Sequence, residues 1–135
     1  MHAEWEQAAR RGDVEALERL LAAGADIDAR DAHGQTALML AARIGHHAAV
    51  ILLVDRGADL NHTAKFHLSA LMLAVLNNHS KIVETLVKAG ADRSIRGTGA
   101  PAFDGKTAME LAQAAGWHEI VDFLRAVEQG SPERT

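Results

Sequence analysis

Lys106 and Thr107 are the residues that come nearest to a catalytic motif, because they follow a turn containing glycine and proline. In a phosphate-binding loop, a Lys and a Thr in this order bind the phosphates and the magnesium ion of a nucleotide. Such a loop follows a buried strand and uses flexible glycines whose N–H groups face the phosphates. Here Ala100 replaces the first glycine and Pro101 has no N–H group. A nucleotide-binding enzyme using loop 100–107 is therefore kept only as an alternative function.

Eight histidines raise the question of a metal site. Two of them, His46 and His79, occupy matching positions in consecutive segments of similar sequence and would lie one above the other in a repeating structure. Zinc needs three or four converging ligands, and the chain has no cysteine to supply thiolates. We therefore predict no metal site, and expect these histidines to hydrogen-bond backbone carbonyls of neighbouring units. Since the sequence also lacks the common nucleophile and cofactor motifs, we predict no catalytic residue, no cofactor and no enzyme activity.

Composition favours a single helical domain. The chain has 135 residues, of which 48% are hydrophobic but only 4% aromatic, so small and aliphatic side chains must fill the core. Fourteen basic and 18 acidic residues give a net charge of -4, which disfavours nucleic acid and anionic membranes as partners. Glu4 and Glu6 stand where a signal peptide would be basic or apolar, and no apolar run approaches the roughly 18 residues of a membrane helix. These features predict a soluble cytoplasmic protein.

A triplet, Gly-Ala-Asp, recurs at 24–26, 57–59 and 90–92. The spacing from the first triplet to the second equals that from the second to the third, which indicates an internal sequence repeat. The segment 36–41 matches 69–74 at this interval, whereas its third copy begins only at Thr107, beyond the position that the interval predicts. The last unit therefore carries about five extra residues, which we place in a loop because glycine and proline concentrate there.

Each unit contains the pattern of two short helices joined by a turn. Thr36 can cap a first helix, and Gly45 interrupts the apolar run after it. A second helix would then end at Gly57, where the chain needs a positive φ. Helices this short cannot bury their apolar faces within one pair, so successive pairs must stack on each other.

The regular period, the Asp-x-x-Gly-x-Thr segment at 31–36, the Gly-His pair at 45–46 and the Gly-Ala-Asp turns together resemble the ankyrin repeat. The resemblance implies an all-α solenoid of stacked helix-turn-helix repeats joined by β-hairpin-like loops. The ankyrin-repeat domain would cover residues 1–128, and a polar C-terminal tail 129–135. The four units read as residues 1–30, 31–63, 64–96 and 97–128, the outer two being caps.

His67 and Asn78 occupy positions where the other units have glycine. Both residue types tolerate the left-handed region better than most, so we expect the backbone geometry of the repeat to survive there.

The resemblance also implies a partner-binding surface, a concave groove lined by the hairpin tips and the exposed side of the first helix of each unit. Carried onto this sequence, that surface predicts twelve partner-binding residues: His33, Gln35, Arg43, Ile44, Lys65, Phe66, Leu68, Leu76, Asn77, Phe103, Asp104 and Lys106.

This surface has a chemical character that suggests its partner. It carries large apolar residues in the middle units and seven of the fourteen basic residues: Arg10, Arg11, Arg30, Arg43, Lys65, Arg96 and Lys106. We therefore expect a monomeric adaptor, scaffold or inhibitor that binds a protein segment with apolar and acidic residues. Two alternatives are that Leu68 and Leu76 pack between units, and that the basic residues bind nucleic acid.

Overall fold

The computed structural model describes residues 1–130, which form eight α-helices arranged as four consecutive pairs. The first helices of the pairs are called the inner helices: α1 (Ala3–Arg11), α3 (Ala37–Ile44), α5 (Ala70–Leu76) and α7 (Ala108–Ala115). The second helices are called the outer helices: α2 (Val14–Ala22), α4 (His47–Asp55), α6 (Ser80–Lys88) and α8 (His118–Glu128).

The pairs stack in chain order. Inner helix α1 packs on α3, α3 on α5 and α5 on α7, while each outer helix packs on the next in a row from α2 to α8. No residue in the described range belongs to a β-strand. The prediction of an all-α solenoid is confirmed, and the unit boundaries in the loops stay a prediction.

The helix starts and ends follow from particular residues. The side chains of Thr36, Ser69 and Thr107 each accept a hydrogen bond from a backbone N–H in the first turn of the inner helix that follows. Gly45 (φ 105°) ends α3 and Gly57 (φ 85°) follows α4, as the sequence predicts. Local residue types therefore set where these helices begin and end, while the stacking of the pairs buries their apolar faces.

Alanine makes the close stacking of the inner helices possible. Ala41, Ala42, Ala74 and Ala112 are all completely buried. Trp5, 1% exposed, fills the core of the first pair at the position that leucine takes in the second and third pairs. Small side chains at these buried positions let neighbouring inner helices pack against each other.

The loops before the inner helices are β-hairpin-like, which confirms that part of the fold prediction. Asp31 donates its N–H to the Gln35 carbonyl, and Ala64 donates its N–H to the Leu68 carbonyl in the next loop. An isolated antiparallel bridge pairs Thr63 with Ser69, and the Gly97 N–H donates to the Lys106 carbonyl in the last of these loops. Residues 31–36 are called loop 2, residues 64–69 loop 3, and residues 97–106 the inserted loop.

Three residues other than glycine adopt a positive φ in the described range. His67 (φ 58°) and Asn78 (φ 57°) were predicted to tolerate it from their alignment with glycines, and this is confirmed. Phe66 (φ 61°) was not predicted, since nothing in its alignment or residue type indicates a left-handed conformation. Loop 3 thus has two consecutive residues in a region that side chains disfavour.

Helix α8 ends at Glu128, so the predicted polar tail begins directly after it. Residues 131–135 of that tail lie outside the described residues. None of the helices within residues 1–130 is both long enough and apolar enough to span a membrane.

Candidate functional site

The twelve predicted partner-binding residues lie on two kinds of element. Four lie at the C-terminal ends of inner helices: Arg43 and Ile44 on α3, Leu76 on α5, and Asn77 directly after it. The other eight lie in the hairpin-like loops: His33, Gln35, Lys65, Phe66, Leu68, Phe103, Asp104 and Lys106. Because Arg10 at the end of α1 reaches Asp31 in loop 2, helix ends and loops form one continuous surface, called here the loop face.

The apolar residues of the loop face differ in exposure. Ile44 is 41% exposed, a high value for a large apolar side chain, and Phe66 and Leu76 are half-buried against the core. Leu68 is only 6% exposed and belongs to the core, so its predicted place on the surface is wrong. It directly precedes the buried cap Ser69, where the chain enters α5 and the side chain is enclosed.

The polar residues of the loop face differ in their exposure and in their hydrogen bonds. His33, Asn77 and Asp104 are exposed, and the Asn77 amide donates to the Leu73 carbonyl at 2.8 Å. The Gln35 side-chain oxygen is buried and accepts no hydrogen bond from any residue in the described range.

Phe66 and Phe103 form an aromatic pair at the tips of the loops. Their ring centroids lie 5.3 Å apart with the planes tilted by 50°, and the Lys65 ammonium lies 5.0 Å from the Phe66 ring centroid. Such geometry is favourable for both aromatic and cation–π contacts. The sequence analysis named all three residues, but their contact depends on how the inserted loop folds.

The inserted loop packs against loop 3 and holds it in place. The Thr98 N–H donates to the Phe66 carbonyl at 2.8 Å, and the His67 ring nitrogen Nδ1 lies 2.9 Å from the Arg96 carbonyl oxygen. The inserted loop can close tightly on itself because Gly97 has no side chain: a Cβ there would lie 2.5 Å from the Phe103 carbonyl oxygen. These contacts fix the left-handed Phe66 and His67.

Most of the seven basic residues predicted on this surface already bind a group inside the chain. Four of them bind carboxylates or backbone carbonyls: Arg10, Arg30, Arg96 and Lys106. Arg11 and Arg43 form no side-chain hydrogen bond or ion pair with the residues of the described range. The cations available to a partner are therefore fewer than the sequence suggests.

The stacked histidines connect neighbouring units. His46 Nε2 lies 2.9 Å from the Arg10 carbonyl oxygen, and His79 Nε2 lies 3.1 Å from the Arg43 carbonyl oxygen. This confirms the predicted contact between histidines and backbone carbonyls of the preceding unit. Within residues 1–130, no three metal-binding side chains come together.

Thr107 has a structural role of the kind the repeat requires. The Thr107 hydroxyl accepts from the Glu110 N–H, and the Glu110 carboxylate in return accepts from the Thr107 N–H, which together form a capping box. Hydrogen bonds to the Glu110 carboxylate, first that from the Thr107 backbone and then that from its hydroxyl, hold the pKa of Glu110 below its usual value. Helix capping therefore accounts for the threonine that resembled part of a phosphate-binding loop.

Comparison with known proteins identifies the family. A family model described as ankyrin repeats in three copies matches residues 5–97, more than half of the chain. This chain therefore belongs to the ankyrin repeat family, whose members generally act as protein–protein interaction modules.

Two proteins of Rickettsia felis that are named as putative ankyrin repeat proteins are each 54% identical to this chain over 39 residues. The aligned segment is 29% of this chain and covers 62% of one relative and 59% of the other. The match thus spans about three fifths of the length of these curated relatives.

Proposed function

We propose that this protein is a non-catalytic interaction module that binds a partner protein on its loop face, as an adaptor, scaffold or inhibitor. The observation that carries the proposal is the exposure of Ile44, of which 41% is accessible to solvent. Its neighbour Arg43 forms no side-chain hydrogen bond or ion pair within residues 1–130, and the aromatic pair of Phe66 and Phe103 lies on the same face. Exposed apolar and aromatic side chains next to an arginine are typical of the centre of a protein interface.

The chemistry of this face favours a partner segment that combines apolar and acidic residues. Ile44 and Phe66 would contact the apolar residues, whereas Arg11, Arg43 and Lys65 would attract the acidic ones. The proposal includes a monomeric, cytoplasmic protein. The net charge of -4 disfavours nucleic acid and anionic membranes as partners.

Rigidity supports the same surface. Phe66 and His67 have fixed backbone conformations because the inserted loop hydrogen-bonds to loop 3. Binding at this face costs less conformational entropy than binding at a flexible loop would, because the aromatic pair is already ordered in the free protein.

The second repeat provides a matched pair of variants to test the proposal. Ile44 on α3 and Ile51 on α4 are 41% and 42% exposed, and only Ile44 lies on the loop face. We expect proteins captured from a lysate by the wild type to be retained by Ile51→Ser and lost with Ile44→Ser. Equal retention by both variants, each shown to be folded by circular dichroism, would contradict the proposed site.

A further inference from the structure

Arg10 shows how this repeat holds an arginine at the end of an inner helix. Its Nε donates to Glu6 Oε2 at 3.0 Å, and its Nη2 lies 3.3 Å from Asp31 Oδ2 in loop 2. The Asp31 side chain is 1% exposed, so the carboxylate is enclosed by the pair it makes. The Arg10 guanidinium thus binds one carboxylate from its own helix and one from the loop of the next repeat.

The second repeat has an arginine at the equivalent position and lacks both carboxylates. Arg43 lies one repeat after Arg10, Met39 stands in the place of Glu6, and Ala64 stands in the place of Asp31. Loops 2 and 3 keep the same backbone pairing at these positions, from Asp31 to Gln35 and from Ala64 to Leu68. The alignment by sequence is therefore also an alignment in space.

The loss of both partners leaves Arg43 in an unfavourable state. Its Nε is buried and has no acceptor within residues 1–130, and Met39, 1% exposed, cannot supply one. Arg43 as a whole is only partly buried, but a buried N–H donor such as its Nε destabilises the free protein when it has no acceptor. Its position in the last turn of α3 compensates in part through the helix dipole, but provides no hydrogen bond.

We propose that Arg43 is the residue that selects an acidic side chain of the partner. A partner Asp or Glu takes the place above Ala64 that the Asp31 carboxylate takes at Arg10, and binds the guanidinium of Arg43. Ile44, the next residue, contacts an apolar residue beside that carboxylate. This inference rests on the proposed function, and adds to it the one cation that sets the requirement for an acidic residue.

The variant Ala64→Asp tests whether Arg43 itself binds the acidic residue of the partner or whether the positive charge of the whole face attracts it. The new carboxylate lies where Asp31 lies in loop 2, so it pairs with Arg43 inside the chain and competes with the partner. Ala48→Asp, on the exposed side of α4, adds the same charge away from the loop face and serves as the control.

A phage-displayed library of random dodecapeptides is the probe, selected in parallel on the wild type and on Ala64→Asp, Arg43→Gln and Ala48→Asp. We expect peptides selected on the wild type to share an Asp or Glu beside an apolar residue. Their affinity should fall about tenfold with Ala64→Asp and with Arg43→Gln, and stay unchanged with Ala48→Asp. The thermal midpoint of Ala64→Asp should equal or exceed that of the wild type, because the new carboxylate gives the Arg43 guanidinium an ion-pair partner, as Asp31 does for Nη2 of Arg10.

The outcomes distinguish the two proposals. Peptides that need Ile44 but carry no shared acidic residue, or that bind Ala64→Asp as tightly as the wild type, would overturn the role of Arg43 and leave the loop face intact. If no peptide is selected, or if Ile44→Ser leaves every selected peptide bound, both the role of Arg43 and the proposed function are wrong.

Discussion

Loops 2 and 3 have the same backbone pairing but are fastened by different means. In loop 2, Asp31 Oδ1 accepts from the N–H groups of His33 and Gln35, and Oδ2 binds Arg10. In loop 3, Ala64 can form none of these bonds, and the inserted loop holds Phe66 and His67 from outside. A repeat loop can therefore be stabilised by its own carboxylate or by contacts with a neighbouring loop.

The difference has a consequence for binding. A loop that supplies its own carboxylate also satisfies the arginine of the preceding repeat, as loop 2 does for Arg10. Loop 3 does not, so Arg43 stays without an acceptor in the described range and the aromatic pair lies at the tip instead. The residue types at two positions, Met39 and Ala64, thus leave Arg43 without the carboxylates that hold Arg10 and make its cation available to a partner.

The largest expected effect is that of removing the carboxylate from loop 2. Asp31→Ala should lower the free energy of unfolding by about 3 kcal/mol, because two backbone N–H groups lose their acceptor and Arg10 loses one of its two carboxylates. Urea denaturation measures this. Asp55→Ala, on the exposed surface of α4, is the control and should change stability by less than about 0.5 kcal/mol. Equal effects of the two variants would show that loop 2 does not depend on its carboxylate.

Loop 3 should instead depend on the inserted loop. Gly97→Ala places a Cβ against the Phe103 carbonyl and should cost about 2 kcal/mol of unfolding free energy. Thr98→Ala leaves the backbone bond to Phe66 intact and should be nearly neutral. Hydrogen exchange should show faster exchange of the Thr98 amide in Gly97→Ala. Unchanged exchange would mean that the two loops do not support each other.

The aromatic pair should contribute a smaller coupling. A double-mutant cycle of Phe66→Ala and Phe103→Ala should give an interaction energy of about 1 kcal/mol, the usual value for rings in this geometry. Thermal or urea denaturation of the four proteins provides it. Additive single effects would indicate that the rings pack against the core separately and do not fasten loop 3.

The smallest expected effect concerns acid. Because the folded protein holds the pKa of Glu110 below its usual value, its carboxylate contributes stability above the unfolded-state pKa, and this contribution is lost as the pH falls through the folded-state pKa. An NMR titration should give a midpoint for Glu110 below 4.5. Glu110→Gln should flatten the acid side of the stability curve. An ordinary midpoint would show that the capping box does not persist in solution.

The sequence predicts the regular parts of the molecule and misses the contacts between loops. The cap Thr36, the matching Ser69 and Thr107, and the left-handed His67 follow from local residue types and the alignment of the repeats. The contact of Phe66 with Phe103 could not be predicted, because an insertion has no counterpart in the repeat to fix its path.

Two features of the loop face show where sequence reasoning stops short. Leu68 is buried because exposure depends on which side of a hairpin a residue faces; the resemblance to the repeat placed it on the surface, whereas its burial agrees with the alternative of packing between units. The lack of an ion-pair partner for Arg43 is indicated by the sequence, because the alignment of the repeats places Met39 at the position of Glu6 and Ala64 at the position of Asp31. The alignment could be interpreted in this way only after the structure showed that Arg10 forms an ion pair with Asp31.

The most direct test of the account is a double-mutant cycle between Ala64→Asp and Arg43→Gln, measured by urea denaturation. If loop 3 lacks the carboxylate that Arg43 needs, Ala64→Asp should stabilise the protein by about 1 kcal/mol, and this gain should be clearly smaller when Arg43→Gln is also present. An equal effect of Ala64→Asp with and without Arg43→Gln would contradict it.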